Sequence, residues 1–225
     1  MTQEPVTKRG RATRDRIVAA ADALVAERGV EGASLDQILA EADASKSQLY
    51  HYFTGKGALV RAVIARRRDL VLGGQMPLLS DLGSWEAIEQ WLNMFLEGHR
   101  RQGFHGGCPI GSLASELADR DDDARGDLVE CFATWERYLV DGLEQMRGRG
   151  QLVPRADPQE LATAVFASMQ GGLLLAKTRR DSQPLRIAIN AALAHLRSFE
   201  AGRRRGSEHS TVSSKSRAGR SMGGS

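Results

Sequence analysis

The chain has 225 residues, of which 41% are hydrophobic and 26% charged, so it can bury a sizeable core and has the composition of a globular protein. It contains no apolar run long enough to span a membrane, no signal-peptide pattern, and only two cysteines. These features argue against a membrane protein and a disulfide-rich secreted scaffold, and they predict a cytoplasmic location without a membrane partner.

The charge is unevenly distributed along the chain. Residues 1–68 carry 12 Lys and Arg against 8 Asp and Glu, residues 69–200 carry 13 against 19, and residues 201–225 carry 6 against 1. A basic front and an acidic body suggest that the front binds a polyanion. An ordinary solvated surface would explain the same excess, so charge alone does not establish a nucleic-acid partner.

Helical periodicity dominates from the first elements onward, and no alternating strand pattern occurs. The polar residues 1–10 predict a flexible basic arm. An amphipathic helix is expected from Thr13, and the sequence "ERGVEG" should end it. Gly29 is the expected cap residue, with a positive φ.

Two short helices are predicted next by two capping boxes. Ser34 with Gln37, and Ser45 with Gln48, place a hydroxyl and an amide at the spacing that satisfies the first free N–H groups of a helix. Only Asp43 and Ala44 lie between the second start and the end of the first helix. The predicted motif is therefore two helices joined by a tight turn, a helix-turn-helix.

The second of these helices has side chains that suit DNA recognition. Leu49 and Phe53 share the inner face, so the outward side chains are Ser45, Lys46, Ser47, Gln48, Tyr50 and His51. Glutamine can pair with adenine edges, and hydroxyls reach bases and phosphates. Lys56 begins the next predicted helix, where its ammonium and the helix N-terminus suit one phosphate. A helical bundle with a solvated polar face is the alternative.

The stretch "TRDRIVAAADALVAERGVEGASLDQILAEADASKSQLYHYFTGKGALV", residues 13–60, resembles the TetR family of transcriptional repressors. The resemblance implies an all-α homodimer with an N-terminal helix-turn-helix domain for an operator in double-stranded DNA. It also implies a larger helical domain that binds a small-molecule effector and mediates dimerisation. With the arm at 1–10, the resemblance implies a DNA-binding domain at 11–55 and a ligand-binding and dimerisation domain at 56–200. Residues 201–225 have almost no apolar residue and are predicted to form a disordered basic tail.

The resemblance places Ser45, Ser47, Gln48, Tyr50 and His51 at DNA-reading positions and Lys56 at the phosphate-contacting lysine. The chain departs from the family pattern at Asp43, where Gly is usual in the turn, and at Gly57, where an acidic residue commonly follows the lysine. We expect Asp43 to adopt the left-handed conformation that the turn needs.

The body continues as helices. A helix is expected from Lys56 to Leu70, another from Ser84, and another over residues 122–146. The glycine-rich residues 100–112 predict either a loop or an irregular entry to a short helix. Asp157 followed by proline and glutamate predicts the start of a helix that reaches Lys177, and a last helix covers residues 184–199.

Two body segments, "GCPIGSLASELADRDD" and "MQGGLLLAK", resemble the LmrA/YxaF-like subgroup of the family, which answers lincomycin-type antibiotics or flavonoids. This implies a pocket for a planar or amphipathic ligand, with His99 and Gln170 orienting it. The candidate lining residues are Trp91, Phe95, His99, Phe104, Cys108, Trp135, Phe166, Met169 and Gln170. Ordinary core packing is the alternative for each of them.

The last two helices are rich in alanine and glycine, which suits either close packing within the chain or a four-helix dimer interface. The resemblance favours the homodimer. An enzyme is disfavoured because no phosphate loop, HExxH or Gly-x-Ser-x-Gly motif occurs, and no cofactor or metal site is predicted. The acidic residues Asp119, Asp121, Asp122 and Asp123 are interpreted as a solvated helix start. A DNA-binding dimer without a sensor role remains the alternative function.

Overall fold

The computed structural model describes residues 7–202, which form ten α-helices. They are α1 (Lys8–Gly32), α2 (Leu35–Glu41), α3 (Lys46–Tyr52), α4 (Lys56–Gly73), α5 (Met76–Leu79), α6 (Trp85–Arg101), α7 (Pro109–Leu117), α8 (Asp122–Gly148), α9 (Pro158–Arg179) and α10 (Gln183–Arg197). An isolated bridge between Leu152 and Glu200 is the only β pairing in this range. The all-α prediction is confirmed. The expectations for residues 1–6 of the arm and 203–225 of the tail lie outside the described residues.

The first helix begins earlier than the sequence pattern suggested. The Thr7 hydroxyl accepts a hydrogen bond from the Gly10 amide at 3.0 Å and caps α1, so residues 8–10 are helical and not part of a flexible arm. The early start was hidden because this turn is polar and contains a glycine. Near its end, α1 is interrupted at Gly29, whose φ of 74° confirms the predicted cap position.

Both predicted capping boxes are present. The Ser34 and Gln37 side chains and backbones pair reciprocally at the start of α2, and Ser45 and Gln48 do the same at the start of α3. Asp43 lies in the turn between them with φ 45°, the left-handed conformation expected there. The helix-turn-helix follows directly from these local signals.

The hydrophobic core of the chain extends to α1 and the helix-turn-helix. Ile17, Leu49 and Phe53 are each at most 1% exposed and pack in this core. Arg16 of α1 donates hydrogen bonds to the carbonyl oxygens of Ala42 and Asp43, at 3.3 and 3.4 Å. These bonds satisfy carbonyl groups at the end of α2. Helix α1 therefore holds the turn both through apolar packing and through the Arg16 hydrogen bonds.

The remaining helices form the body. Helix α9 packs against α10 and α8, and α4 packs against both α1 and α8, so α4 joins the N-terminal unit (α1–α3) to the body (α4–α10). A Cβ atom built on Gly172 of α9 would lie 2.6 Å from the Ala188 Cβ of α10. Part of the predicted small-residue pattern therefore serves close packing within the chain. No helix within residues 7–202 has the length and apolarity needed to cross a membrane.

Gly142 in α8 should be intolerant of a side chain. A Cβ at this position would overlap the backbone carbonyl of Leu82, which cannot rotate away. Gly142→Ala is expected to lower the free energy of unfolding by about 2–3 kcal/mol, despite the better helix propensity of alanine. Urea denaturation at one fixed protein concentration measures the effect.

The matched control is Gly126→Ala in the same helix. Gly126 is exposed, and a Cβ there would meet no described atom within 4 Å apart from its chain neighbours and the backbone of its own helix, so alanine should stabilise the protein by about 0.5–1 kcal/mol. Equal stabilities of the Gly142→Ala variant and the wild type would contradict the packing described.

Candidate functional sites

The outer face of α3 carries the residues predicted to read DNA. Leu49 is buried beneath it, and the Tyr50 side chain is 58% exposed. All six predicted reading residues of this helix start are exposed: Ser45, Lys46, Ser47, Gln48, Tyr50 and His51. The helix therefore presents a continuous polar surface, anchored from below by a buried leucine.

Two of these side chains already have partners within the N-terminal unit. Oε1 of Gln48 accepts from the Ser45 amide at 2.8 Å, so bidentate pairing of Gln48 with adenine would have to break the capping bond. Nζ of Lys46 lies 3.1 Å from a carboxylate oxygen of Asp36, and both groups are well exposed. An exposed ion pair of this kind is weak and can exchange for a phosphate contact.

Lys56 is the first residue of α4, and it is half-buried. Gly55 caps this helix without a side-chain hydrogen bond, which leaves the first amides of α4 for an anion. The carboxylates of Glu31 and Asp121 line the same depression of about 210 Å³. They oppose a phosphate there, whereas Lys56 and Arg120, which lines the same depression, supply positive charge against them.

The predicted basic arm lies on α1 where the structure describes it. Lys8 and Arg9 are exposed on the first turn. The guanidinium of Arg14 lies 5.6 Å from the ring centroid of Phe53 in a cation–π contact, next to α3. The positive charge of Arg14, which lies beyond the predicted arm, therefore stands on α1 beside the candidate reading helix.

Four of the predicted pocket residues form a contiguous aromatic cluster. The ring centroids of Trp91 and Phe166 are 5.8 Å apart, those of Phe166 and Trp135 5.0 Å, and those of Trp135 and Phe95 6.2 Å. All four side chains are buried. The cluster joins α6, α8 and α9 in the centre of the body.

The nine candidate pocket residues do not line one cavity. Phe95, His99, Cys108 and Trp135 line a cavity of about 290 Å³, the "aromatic cavity", bounded by α4, α6, α8 and the start of α7. Gln170 lies with Cys108 on a second cavity of about 530 Å³ beside α9. The others are buried in the core and do not line the aromatic cavity: Trp91, Phe104, Phe166 and Met169.

The polar groups of the aromatic cavity are largely uncharged. Burial lowers the pKa of His99 below its usual 6.5, so the imidazole is neutral near pH 7. Burial also raises the pKa of the Cys108 thiol, which stays protonated. Among the described residues, neither Nδ1 of His99 nor Nε1 of Trp135 has a hydrogen-bond partner. By contrast, Nε1 of Trp91 donates to Gln75 at 2.9 Å.

Arg67 of α4 connects the N-terminal unit to this cavity, a role that no sequence motif indicated. Its side chain is 7% exposed, and its Nε donates to the Asp22 carboxylate of α1 at 2.6 Å. Its Nη1 donates to the carbonyl oxygen of Pro109 at 3.1 Å, at the first residue of α7. Pro109 in the cavity wall is thus tied to Asp22 of α1 through the guanidinium of Arg67.

Two further links join helices that are distant in the chain: one ties α7 to α1 and the other ties α4 to α8. Oε1 of Glu116 in α7 accepts from the amides of Val30 and Glu31, at 2.6 and 3.2 Å, just after the break at Gly29. Arg61 of α4 pairs with Asp127 of α8 at 2.7 Å. These contacts span more than 60 positions in the chain, so local sequence patterns carry no signal for them.

The acidic stretch after α7 serves as a helix start, as predicted. Asp121 caps α8 by accepting from the Ala124 amide at 2.9 Å, and Asp122 pairs with Arg125 at 2.9 Å. Within residues 7–202 no group of three or more His, Cys, Asp or Glu is arranged to hold a metal ion.

Comparison with known proteins identifies both parts of the chain. Residues 17–63 match the family described as bacterial regulatory proteins, tetR family, and residues 84–191 match the LmrA/YxaF-like transcriptional regulator C-terminal domain. An uncharacterised HTH-type regulator of Lactococcus lactis is 30% identical over 76% of this chain and 86% of its own. The transcriptional regulator AcuR of Cereibacter sphaeroides is 31% identical over 71% and 74%.

A solved structure shares the fold as well as the sequence. The reduced form of Escherichia coli NemR is 27% identical and superimposes with a TM-score of 0.69, over 84% of this chain and 97% of that one. The curated NemR relative is named a transcriptional repressor. The chain therefore belongs to the TetR family of bacterial transcription regulators, with a C-terminal domain of the LmrA/YxaF-like type.

Proposed function

We propose that this regulator is a ligand-responsive repressor, which binds a near-palindromic operator as a homodimer and leaves it when a small aromatic or amphipathic molecule occupies the body. The observation that carries the proposal is the outer face of α3, whose exposed side chains stand on a buried Leu49 and Phe53. Such a helix fits the major groove, with Lys56 and the start of α4 on the phosphate backbone.

The surface of α9 and α10 supports the homodimer. Leu174 and Ile187 are 63% and 58% exposed in the single chain. Small residues accompany them on the exposed side of the two helices: Ala167, Gly171, Ala191 and Ala194. An apolar face with small residues allows a second copy to approach closely about a two-fold axis. Two copies would place two reading helices on successive major grooves, about 34–36 Å apart.

The aromatic cavity supports a sensor role over that of a DNA-binding dimer without one. Its wall includes Pro109, whose carbonyl oxygen is held by Arg67, which in turn holds Asp22 of α1. A ligand that moves the start of α7 would therefore act on α1 directly. To release DNA, the ligand has to bind the arrangement that does not fit the operator more tightly than the one that does, by several kcal/mol. A shift of the two populations from about 1:99 to about 99:1 requires a difference of about 5.5 kcal/mol.

Electrophoretic mobility shift on the DNA upstream of its own gene tests the proposal. Tyr50→Ala and Lys56→Ala should each weaken specific retention by about 10- to 100-fold, because every lost contact occurs twice per dimer. Arg125→Ala on α8 is the charge-matched control and should bind as the wild type does. Specific retention that survives both α3 and α4 substitutions would refute the proposed interface.

A further inference from the structure

We propose that Glu116 of α7 is the residue through which the body positions the helix-turn-helix for DNA reading. It acts on the backbone of α1 and not on DNA, so it is a positioning residue. The inference rests on the proposed operator binding by a dimer and goes beyond it, because it names the contact that sets the placement of each α3. It is carried by two hydrogen bonds, by the packing over Gly29 and by a second tie between α7 and α1.

The break in α1 creates the need for an acceptor. Gly29 has φ 74° and ψ 173°, and helical residues resume after it as far as Gly32. A break of this kind interrupts the hydrogen-bond ladder of the helix, so the amides that follow it need other acceptors. Oε1 of Glu116 accepts from the amides of Val30 and Glu31 at 2.6 and 3.2 Å. Glu116 therefore caps this turn from another helix, with the charge-assisted bonds that a carboxylate forms.

Gly29 lets the carboxylate approach this closely. A Cβ atom built on Gly29 would lie 3.1 and 3.2 Å from the two carboxylate oxygen atoms of Glu116, which is half-buried. The carboxylate group therefore packs directly over the break. The positive φ and the missing side chain of Gly29 both serve the contact, since the backbone can bend there and the carboxylate can come within contact distance.

The capped turn leads directly into the helix-turn-helix. Ala33 follows it and is 0% exposed, and Ser34 then caps α2. Buried residues of α1, α2 and α3 belong to one hydrophobic core, and close-packed interiors transmit displacements. A displacement of the backbone at Val30 is therefore passed on to α3.

Helix α7 holds α1 at two points. At the first residue of α7, the carbonyl oxygen of Pro109 accepts from Arg67, whose guanidinium also holds Asp22 of α1. Glu116 lies seven residues farther along the chain, which is about 10 Å at the rise of an α-helix. One tie limits only the distance between the two helices, whereas two separated ties also resist a change of the angle between them. Glu116 therefore fixes the tilt of the N-terminal unit on the body.

The tilt of each N-terminal unit sets the separation of the two α3 helices in a dimer. Neighbouring base pairs are about 3.4 Å apart along DNA and about 34° apart around its axis, so one inserted base pair moves a half-site out of register. A dimer with firmly placed α3 helices discriminates against the lengthened operator, and a dimer with loosely placed ones tolerates it. The ratio of the two affinities therefore measures the positioning.

Two variants separate the reach of Glu116 from its charge. Glu116→Gln has an amide oxygen at the same reach and can accept from both backbone amides, whereas Glu116→Asp keeps the charge on a side chain one methylene shorter. A positioning role predicts wild-type behaviour for Glu116→Gln and a loss for Glu116→Asp. Glu86→Asp is the matched control, because Glu86 is exposed on α6, which packs against α5 and α10.

Fluorescence anisotropy with an operator recovered from genomic DNA, and with a copy lengthened by one base pair between the half-sites, gives the ratio. The wild type, Glu116→Gln and Glu86→Asp should favour the native operator by at least about 10-fold, and Glu116→Asp should lower this ratio by at least about 3-fold. The ratio cancels any nonspecific gain in Glu116→Gln from the loss of a negative charge near Lys56. A role in stability alone would leave the ratio of the folded protein unchanged.

Amide hydrogen exchange without DNA checks the contact itself. Exchange at Val30 and Glu31 should be at least about 5-fold faster in Glu116→Asp than in the wild type, and unchanged in Glu116→Gln. If Glu116→Asp does not fold, Glu116→Ala takes its place in both measurements, because it removes the acceptor and favours the helix.

Three results would overturn the inference: unchanged exchange at both amides in Glu116→Asp, an undiminished affinity ratio in that variant, or a ratio that falls equally in Glu116→Gln and Glu116→Asp. A wild type that does not discriminate between the two operators would refute the dimeric repressor, and the positioning role with it. A wild type and a Glu116→Asp variant that discriminate equally would refute the positioning role alone.

Discussion

Substitution of Ile187 by glutamate is expected to turn the protein into a monomer and to lower its affinity for operator DNA by at least about 100-fold. Ile187 lies on the apolar face of α9 and α10 and is 58% exposed in the single chain. In the proposed two-fold interface, the substitution would bury one carboxylate from each copy in an apolar contact, at a large desolvation cost. A monomer also loses the high effective concentration of the second reading helix.

Sedimentation equilibrium and fluorescence anisotropy with labelled operator DNA measure these two effects. Leu70→Glu is the matched control, because Leu70 is 57% exposed but lies on α4, whose packing partners are α1, α5, α7 and α8. This variant should stay dimeric. A dimeric Ile187→Glu protein, or a monomer that binds the operator as tightly as the wild type, would refute the proposed interface or its role.

Replacement of Arg67 by methionine is expected to lower the free energy of unfolding by about 3 kcal/mol. The substitution preserves most of the apolar stem but removes the hydrogen bonds to the Asp22 carboxylate and to the Pro109 carbonyl oxygen. Asp22 has a side chain that is 19% exposed and keeps only the longer contact to Arg66, at 3.3 Å. The Asp22 carboxylate and the Pro109 carbonyl group would both lose the hydrogen bond from Arg67, and each loss destabilises the folded protein.

Two variants of the same helix separate charge from geometry. Arg67→Lys keeps the charge but cannot reach both acceptors with a planar fork, so its stability should fall between those of the wild type and Arg67→Met. Arg68→Met removes a half-exposed guanidinium whose ion pair is with its neighbour Asp69, and it should change stability by less than about 0.5 kcal/mol. Urea denaturation at a fixed concentration measures all three. Equal stability of the Arg67→Met and Arg68→Met variants would contradict the role of Arg67 in linking α1 to α7.

The local elements of the fold were predictable because their signals are short-range. The pairs Ser34–Gln37 and Ser45–Gln48 predicted the starts of α2 and α3, and Asp157 predicted the start of α9, where its carboxylate accepts from two backbone amides. A capping bond joins residues two or three positions apart, so its partners stand next to each other in the sequence. The start of α1 at Lys8 was missed because the Thr7 cap precedes a polar turn.

The candidate sites were predictable only in part, for a physical reason. The outward residues of α3 follow from helical spacing once Leu49 is placed inward. The aromatic residues of the body were predicted to line one pocket, but Trp91 and Phe166 lie in the core, because spacing does not tell a cavity wall from a core. Which polar atoms lack partners, such as Nε1 of Trp135, depends on helices far apart in the chain. The hydrogen bonds of Arg67 and Glu116 likewise join helices that are far apart in the chain, so local patterns do not predict them.

Footprinting on an operator recovered from genomic DNA tests the central claim most directly, namely that a dimer reads DNA through α3. The account predicts two protected half-sites of a near-palindrome with centres about one helical turn apart, or a small multiple of it. It also predicts that protection of both half-sites weakens together in Tyr50→Ala. Protection of a single asymmetric site, or a footprint that Tyr50→Ala and Lys56→Ala leave unchanged, would contradict it.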